Sequence, residues 1–450
     1  MVTTADVRGL DTWADPRGQQ DLLLRNVFQT LLSVGPDGGE PQNDLAESCR
    51  FSAPTAYTCR LKDSGFPDGT PVRPVDVAWT FVGRHEDRSA AGPDAARLHS
   101  LIRSVQTVDD HTVTFDLTRP DASLPYLLTL PAAAIVRSGS DPSTAAVTEA
   151  LGSGAYRVES ASDGDVALVA NPHYSSAGTM GNDRVVIRRV SDAAAGAAAV
   201  ANGSADVFYP GNERKSQALV APAGNSELTR EASLSTTVLA LDQALPGESE
   251  KPVRQALAAL LDRAALARSA GGSIVPLFSA LPSNVAWSTG PAVEDDGPDP
   301  ARAAELLRGA GVTTPVSLGL VRPTGIAEAL WDELLRQLGA GGLFDPTGPL
   351  TTGGTARVLT HSPATSDPLA YLSLASSVDR SSAVTDLIAR AQSDSDLASR
   401  EQSVIEAQRQ LADRALAIPV WQDTAAVLTR AGVDGVTVYP FLRLWPLRPP

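Results

Sequence analysis

Lysine, histidine and cysteine are all scarce in this chain, and each shortage excludes something. Lysine occurs only at Lys62, Lys215 and Lys251, so arginine supplies nearly all positive charge, and the formal net charge is −15 over 450 residues. A nucleic-acid surface needs clustered Lys and Arg, which this balance does not offer. The five histidines (His85, His99, His111, His173 and His361) are scattered without metal-ligand spacing, and there is no HExxH or CxxC motif. No GxxxxGK[ST] loop is present to cradle phosphates. Ser153 sits between glycines, but Leu151-Gly152-Ser153-Gly154-Ala155 is not G-x-S-x-G, so a structural role is expected for it. These absences predict a protein that is not an enzyme and holds no cofactor or metal. Long apolar runs are missing too. None approaches the roughly 20 residues that span a bilayer, and the start, MVTTADVRGLDTW, has neither a basic n-region nor an apolar h-region.

What is present describes a soluble globular protein: 43% hydrophobic and 20% charged residues, with a length that predicts two or three domains. The two cysteines, Cys49 and Cys59, flank RFSAPTAYT. Pairing them also sets Phe51 opposite Tyr57, a hairpin register turning near Ala53-Pro54-Thr55 with both pairs on one face. Directly opposite cysteines can reach disulfide distance, and a disulfide implies an oxidising, extracytoplasmic setting. Two buried thiols are the alternative. Leu23, Leu24, Val27, Phe28 and Leu31 make the apolar stripe of a helix reaching Leu32. Val113, Phe115 and Leu117 alternate as a half-buried strand, and Val238 to Leu241 reads as a strand buried on both faces. Asp299-Pro300 pairs a capping residue with a first-turn proline, and Gly309 or Gly311 ends that helix. The Gly/Pro-rich pieces at 290–299 and 341–354 read as surface loops.

The stretch Phe66–Phe81, FPDGTPVRPVDVAWTF, combines an Asp68-Gly69 turn, an extended Thr70-Pro71-Val72 and a helix opened by Pro74 with Val77, Ala78 and Phe81 on one face. It closely resembles the F-S-D-G-T-P-x-T-A-x-D-V signature of the family 5 extracellular solute-binding proteins, the peptide- and nickel-type receptors of ABC importers in cluster C. Further segments agree in order: Asn43-Asp44-Leu45-Ala46-Glu47-Ser48, Gly152-Ser153-Gly154-Ala155-Tyr156, Asn171-Pro172-His173-Tyr174, Asp206, Val253-Arg254-Gln255-Ala256-Leu257 through Asp262-Arg263, Asp299-Pro300 and Ile418-Pro419-Val420-Trp421. The Ala, Gly and Pro load is similar to that of actinobacterial proteins.

The resemblance implies an α/β fold of the periplasmic-binding-protein type II, two large lobes around a hinged ligand cleft with an extra inserted subdomain. Domain I would take 1–36, 152–235 and 427–450, residues 37–151 a second inserted domain, and 236–426 a large third domain closing over the ligand. It implies a small-molecule or peptide-like ligand, an ABC permease as membrane partner, no nucleic acid and a monomer. It also implies an extracytoplasmic, cell-surface lipoprotein in full-length form, with the leader trimmed here. Position in the family pattern makes Trp13, Gln19, Gln20, Trp287, His361, Ser362, Ala364, Thr365 and Trp421 ligand-site candidates, with core packing as the other reading for each tryptophan. Asp367, matching the family's D-P aspartate, would hold its loop. In peptide-binding members an aspartate just upstream pairs with the peptide's α-ammonium; here that place falls at Ala364 or Thr365. An ammonium buried there without a partner would lose a few kcal/mol or more. The expectation is therefore a receptor for a peptide-like or specialised solute. The rivals are an oligopeptide receptor proper and a scaffold adapted to an enzymatic or accessory role in a biosynthetic pathway.

Overall fold

The computed structural model describes residues 1–4, 10–12, 21–35, 38–83, 93–142, 147–149, 151–162, 164–211, 219, 225–241, 251–289, 297–349, 356–376, 382–438 and 442–448. It separates into two units. One comprises Met1–Glu231, Ser393–Ser395 and Ala425–Pro450; the other comprises Ala232–Gln392 and Asp396–Thr424. The chain passes from one to the other inside the long strands Ser226–Leu241 and Ala417–Arg430.

In the first unit the short strand Val2–Thr3 lies parallel between Arg184–Arg189 and Val207–Tyr209. Asp165–Ala170 and Tyr156–Ser162 continue the sheet antiparallel, and Val207 and Phe208 pair with Thr429 and Leu428 on the other side. A second, four-stranded antiparallel sheet runs in the order Ala46–Ala53, Ala56–Leu61, Thr112–Leu117, Ile102–Thr107. Its 112–117 strand buries Val113, Phe115 and Leu117 and leaves the intervening residues half-buried, as their alternation predicts. The cysteine hairpin has the predicted register: Cys49 opposes Cys59, Phe51 opposes Tyr57, and the Cys49–Cys59 disulfide is formed. The Phe51 and Tyr57 rings meet at a tilt, their centroids 4.7 Å apart.

The 66–81 stretch is a scaffold in this unit. Gly69 takes φ +85°, a conformation that costs glycine little, and Asp68 accepts from the Thr70 backbone at 3.0 Å. Pro74 opens the helix Pro74–Ala78, and buried Asp76 accepts from the N–H of Arg73 at 2.8 Å and of Ser138 at 2.8 Å. Thr80 closes the arrangement by accepting from the Val136 N–H. Gly65 meanwhile donates to the His173 carbonyl, and Asn171 Nδ2 donates to the carbonyls of Gly65 and Gly154. The three motifs that lie far apart in sequence are thus one hydrogen-bonded knot.

One helix expectation needs correction. The first helix, Asp21–Val27, stops four residues before Leu31. The carbonyl groups that would continue it are taken by distant chain: Val27 accepts from Gly154, Gln29 from Ile135, and Leu31 from both Asp44 and Ala46. The chain then turns into the strand Leu32–Val34. The 253–263 segment is two helices, Lys251–Ala259 and Arg263–Ser269. Gln337 captures both the N–H and the carbonyl of Asp262, whose carboxylate then caps the second helix at Ala265.

In the second unit, residues 236–241 pair antiparallel with 356–361, so that Thr236 opposes His361. Ile274–Pro276 pairs antiparallel with residues 421–423. The strand containing Val238 to Leu241 is far longer than that apolar run, reaching back to Ser226. The 341–354 piece also holds a short strand, Phe344–Asp345, parallel to Val316–Ser317. Around the sheet, Leu257, Leu266, Leu307, Leu334 and Leu338 are buried with Val420 and Trp421 in one apolar core. Asp299 caps its helix at the Arg302 N–H, as its motif predicts.

Candidate functional site

The loop that follows the 356–361 strand carries most of the sequence candidates, and its geometry is set by a buried ion pair. Asp367 caps the helix Pro368–Ser376 by accepting from the Leu369 N–H at 3.0 Å. The same carboxylate oxygen accepts from Arg400 Nη2 at 3.0 Å. Both side chains are 3% exposed. Arg400 comes from the long helix Leu397–Arg414, and its Nε donates to the Ala391 carbonyl. Such a pair holds geometry firmly, because removing either partner strands the other charge away from water.

Arg400 also reaches the other loop that carries a candidate. Its guanidinium lies over the Trp287 ring at 5.3 Å, within range of cation–π attraction. Trp287 adopts φ +61°, uncommon for a non-glycine residue, and its carbonyl accepts from Gln408 Nε2 at 2.9 Å. The loop is tied further by Asn284, which donates to the Ala232 carbonyl at 3.0 Å, and by Gln422, which donates to Asn284 at 2.8 Å and to the Ser233 carbonyl. Trp287 is half-buried.

His361, at the end of its strand, meets the Tyr371 ring edge-on at 5.7 Å, and the Tyr371 hydroxyl donates to the Leu234 carbonyl. Ser362 bonds Ser235 at 2.7 Å. Ala364 is half-buried, whereas Thr365 is buried and directs its hydroxyl oxygen at the Asp367 N–H. Trp287 is therefore linked through Arg400 and Asp367 to the loop that holds Ser362 and Ala364 and follows His361. Trp421 is 2% exposed inside the apolar core, which corrects its placement among the ligand candidates: its ring packs. Trp13, Gln19 and Gln20 lie outside the described residues.

Arg400, Asn284, Tyr371 and Gln422 were not singled out from sequence. No local pattern marks them, since each acts on a segment tens of residues away. Among the described residues no group of three or more His, Cys, Asp and Glu is placed to hold a metal ion. No described helix is long and apolar enough to cross a membrane.

The fold, two α/β units joined through paired long strands, is that of the type II periplasmic binding proteins. MppA, a periplasmic murein tripeptide binding protein in its unliganded open form, superposes with a TM-score of 0.83 at 18% identity, covering 99% of this chain and 95% of that one. The dipeptide binding protein of Pseudoalteromonas sp. SM9913, in complex with Met-Leu, superposes with a TM-score of 0.68 at 19% identity, and each chain is covered completely. Residues 40–335 match the model of the bacterial extracellular solute-binding proteins, family 5, and the chain belongs to that family. It is also 28% identical over 195 residues to the Escherichia coli (strain K12) protein described as "Probable D,D-dipeptide-binding periplasmic protein DdpA". That match spans 40% of this chain and 37% of the relative.

Proposed function

We propose that this protein is the extracytoplasmic receptor of an ABC importer, capturing a small peptide-like or specialised solute and passing it to a membrane permease without chemical change. In this reading the mature protein works as a monomer tethered by a lipid anchor. Its chain divides into domain I (1–36, 152–235, 427–450), an inserted domain (37–151) and the ligand-gripping domain (236–426). The solute rests on the region built by Trp287, His361, Ser362 and Ala364, with the buried Thr365 shaping the loop from behind. Affinity comes from desolvating an aromatic wall together with a few directed hydrogen bonds.

One observation carries the choice of solute class. Asp367 is the loop's carboxylate, and it is spent on Arg400 and on a helix cap. No acid stands at Ala364 or Thr365 to receive a free α-ammonium. A solute whose contacts here are neutral or aromatic fits better than a dipeptide with a charged N-terminus.

A thermal-shift screen against free dipeptides to pentapeptides, N-acetylated peptides, amino acids, sugars and nickel chelates tests this. A ligand at 100 times its Kd stabilises by about 2.7 kcal/mol, which moves a melting transition by a few degrees. Stabilisation by neutral or N-blocked solutes, with none from free-amino peptides, is the expected outcome. Stabilisation by free-amino peptides would transfer the assignment to an oligopeptide receptor with a carboxylate elsewhere. Turnover of any bound compound would overturn the receptor reading altogether.

A further inference from the structure

A pocket lies wholly within the first unit and shares no residue with the region above. It is a concavity of about 220 Å³ against the helix Asp21–Val27, the strand pair Leu32–Val34 and Pro41–Asn43, and the C-terminal segment. Three cations line it, Arg25, Lys62 and Arg443, against one acid, Asp44. In a chain with three lysines and a net charge of −15, that local excess of positive charge runs against the composition.

The one acid is engaged by neighbouring donors. Its carboxylate accepts from Gln29 Nε2 at 2.9 Å and from the Thr30 N–H at 3.3 Å, while Lys62 donates to its backbone carbonyl at 2.6 Å. Burial pushes the Asp44 carboxyl upward, with these hydrogen bonds and the charges of Lys62 and Arg443 pulling the other way. Arg443 donates to the Val34 carbonyl at 2.9 Å, and its guanidinium lies 5.6 Å from the Trp445 ring centre. Burial lowers the Arg443 pKa, a sign that its charge is costly where it stands. Arg25 donates to the Thr129 carbonyl at 3.0 Å. Two buried or half-buried rings complete the wall: Tyr174 meets Trp445 edge-on at 6.2 Å.

We propose that this pocket binds a small aromatic carboxylate, its anionic group held by Lys62 and Arg443 and its ring laid against Trp445 and Tyr174. The charge excess selects an anion, and the arginine over an indole selects a flat one, since a guanidinium pairs with a carboxylate in plane. The volume falls below the ~300–1,000 Å³ typical of drug-sized sites, which limits the ligand to about a single ring.

Benzoate, acetate, benzylamine and inorganic phosphate, each titrated calorimetrically into the intact protein at low ionic strength, distinguish the contributions. Saturable one-site binding of benzoate is expected, with acetate and phosphate at least tenfold weaker and benzylamine silent. Arg443→Gln should weaken benzoate at least tenfold. Gln42→Trp, at an exposed strand position on the pocket's edge, should abolish binding while leaving every charge in place, and it keeps the question answerable where the arginine variant does not fold. Absence of benzoate binding to the wild type, an unchanged affinity in Gln42→Trp, or phosphate binding as tightly as benzoate would each overturn the proposal.

Discussion

Asp367 and Arg400, 33 residues apart in sequence, meet at 3.0 Å with both side chains almost fully shielded from water. The pair joins the loop before the Pro368–Ser376 helix to the long helix Leu397–Arg414, and through the Arg400 guanidinium it reaches Trp287. A carboxylate so engaged serves the loop's shape and is unavailable to a ligand's ammonium.

Breaking this pair from one side should be costly. Arg400→Met leaves the Asp367 charge buried without its counter-ion and should destabilise by about 3–5 kcal/mol, read as a lower urea midpoint. The double variant Asp367→Asn with Arg400→Met should recover part of that loss. Equal stability of Arg400→Met and wild type would show that the pair holds nothing.

Supplying the absent acid should change what is bound. Ala364→Asp places a carboxylate at a half-buried position of the loop that follows His361. Free-amino dipeptides should gain at least tenfold in affinity in this variant, which is about 1.4 kcal/mol or more. No gain for any dipeptide would place the ammonium-binding position elsewhere.

The Cys49–Cys59 bridge closes a short loop with a sequence separation of 10. Chain-entropy reasoning gives about 2–3 kcal/mol for a loop of this size, so Cys49→Ser with Cys59→Ser should lower the melting temperature by several degrees without altering the sheet. Thiol labelling of the unreduced, denatured protein should find no reactive cysteine. Two labelled thiols would refute the bridge.

Gly154 donates to the Val27 carbonyl and packs so closely that a Cβ there would lie 2.6 Å from the Val27 carbonyl carbon. Gly154→Ala forces the helix end and the 151–155 turn apart. A loss of about 1–3 kcal/mol is expected from overpacking. Chemical denaturation measures it, and a neutral result would show that the two segments separate freely.

Asp44 should leave a mark on the pH profile. Its carboxyl is raised above the ordinary value of 3.8, chiefly by burial. The folded state therefore holds the proton more tightly than the unfolded chain. The stability this contributes is fully present below about pH 3.8 and is lost as pH rises through the folded-state pKa. Asp44→Asn should show a shallower decline in urea midpoint than the wild type across that rise. Identical profiles would remove Asp44 as the cause.

Much of the frame was legible before any coordinates. Alternating Val113, Phe115 and Leu117, the opposed cysteines, and the Asp299-Pro300 cap are local patterns, and each formed the element its spacing predicts. The helix ends at Val27 and Ala259 were not legible. There the competing hydrogen bonds come from Gly154 and Gln337, at distances along the chain that no periodicity records. Trp421 misled for a related reason: an aromatic in a family-like motif reads the same whether its ring lines a cavity or fills a core.

The sequence by itself determined the family, the register of the cysteine hairpin and the absence of an acid at Ala364 and Thr365. Those follow from residue identity and from interactions within a few positions. Only the tertiary structure decided that Asp367 belongs to Arg400, that Trp421 is core, and that Arg25, Lys62 and Arg443 share one pocket. Desolvation and charge pairing act through space, so which carboxylate is spent and which cations crowd together is settled when distant segments meet.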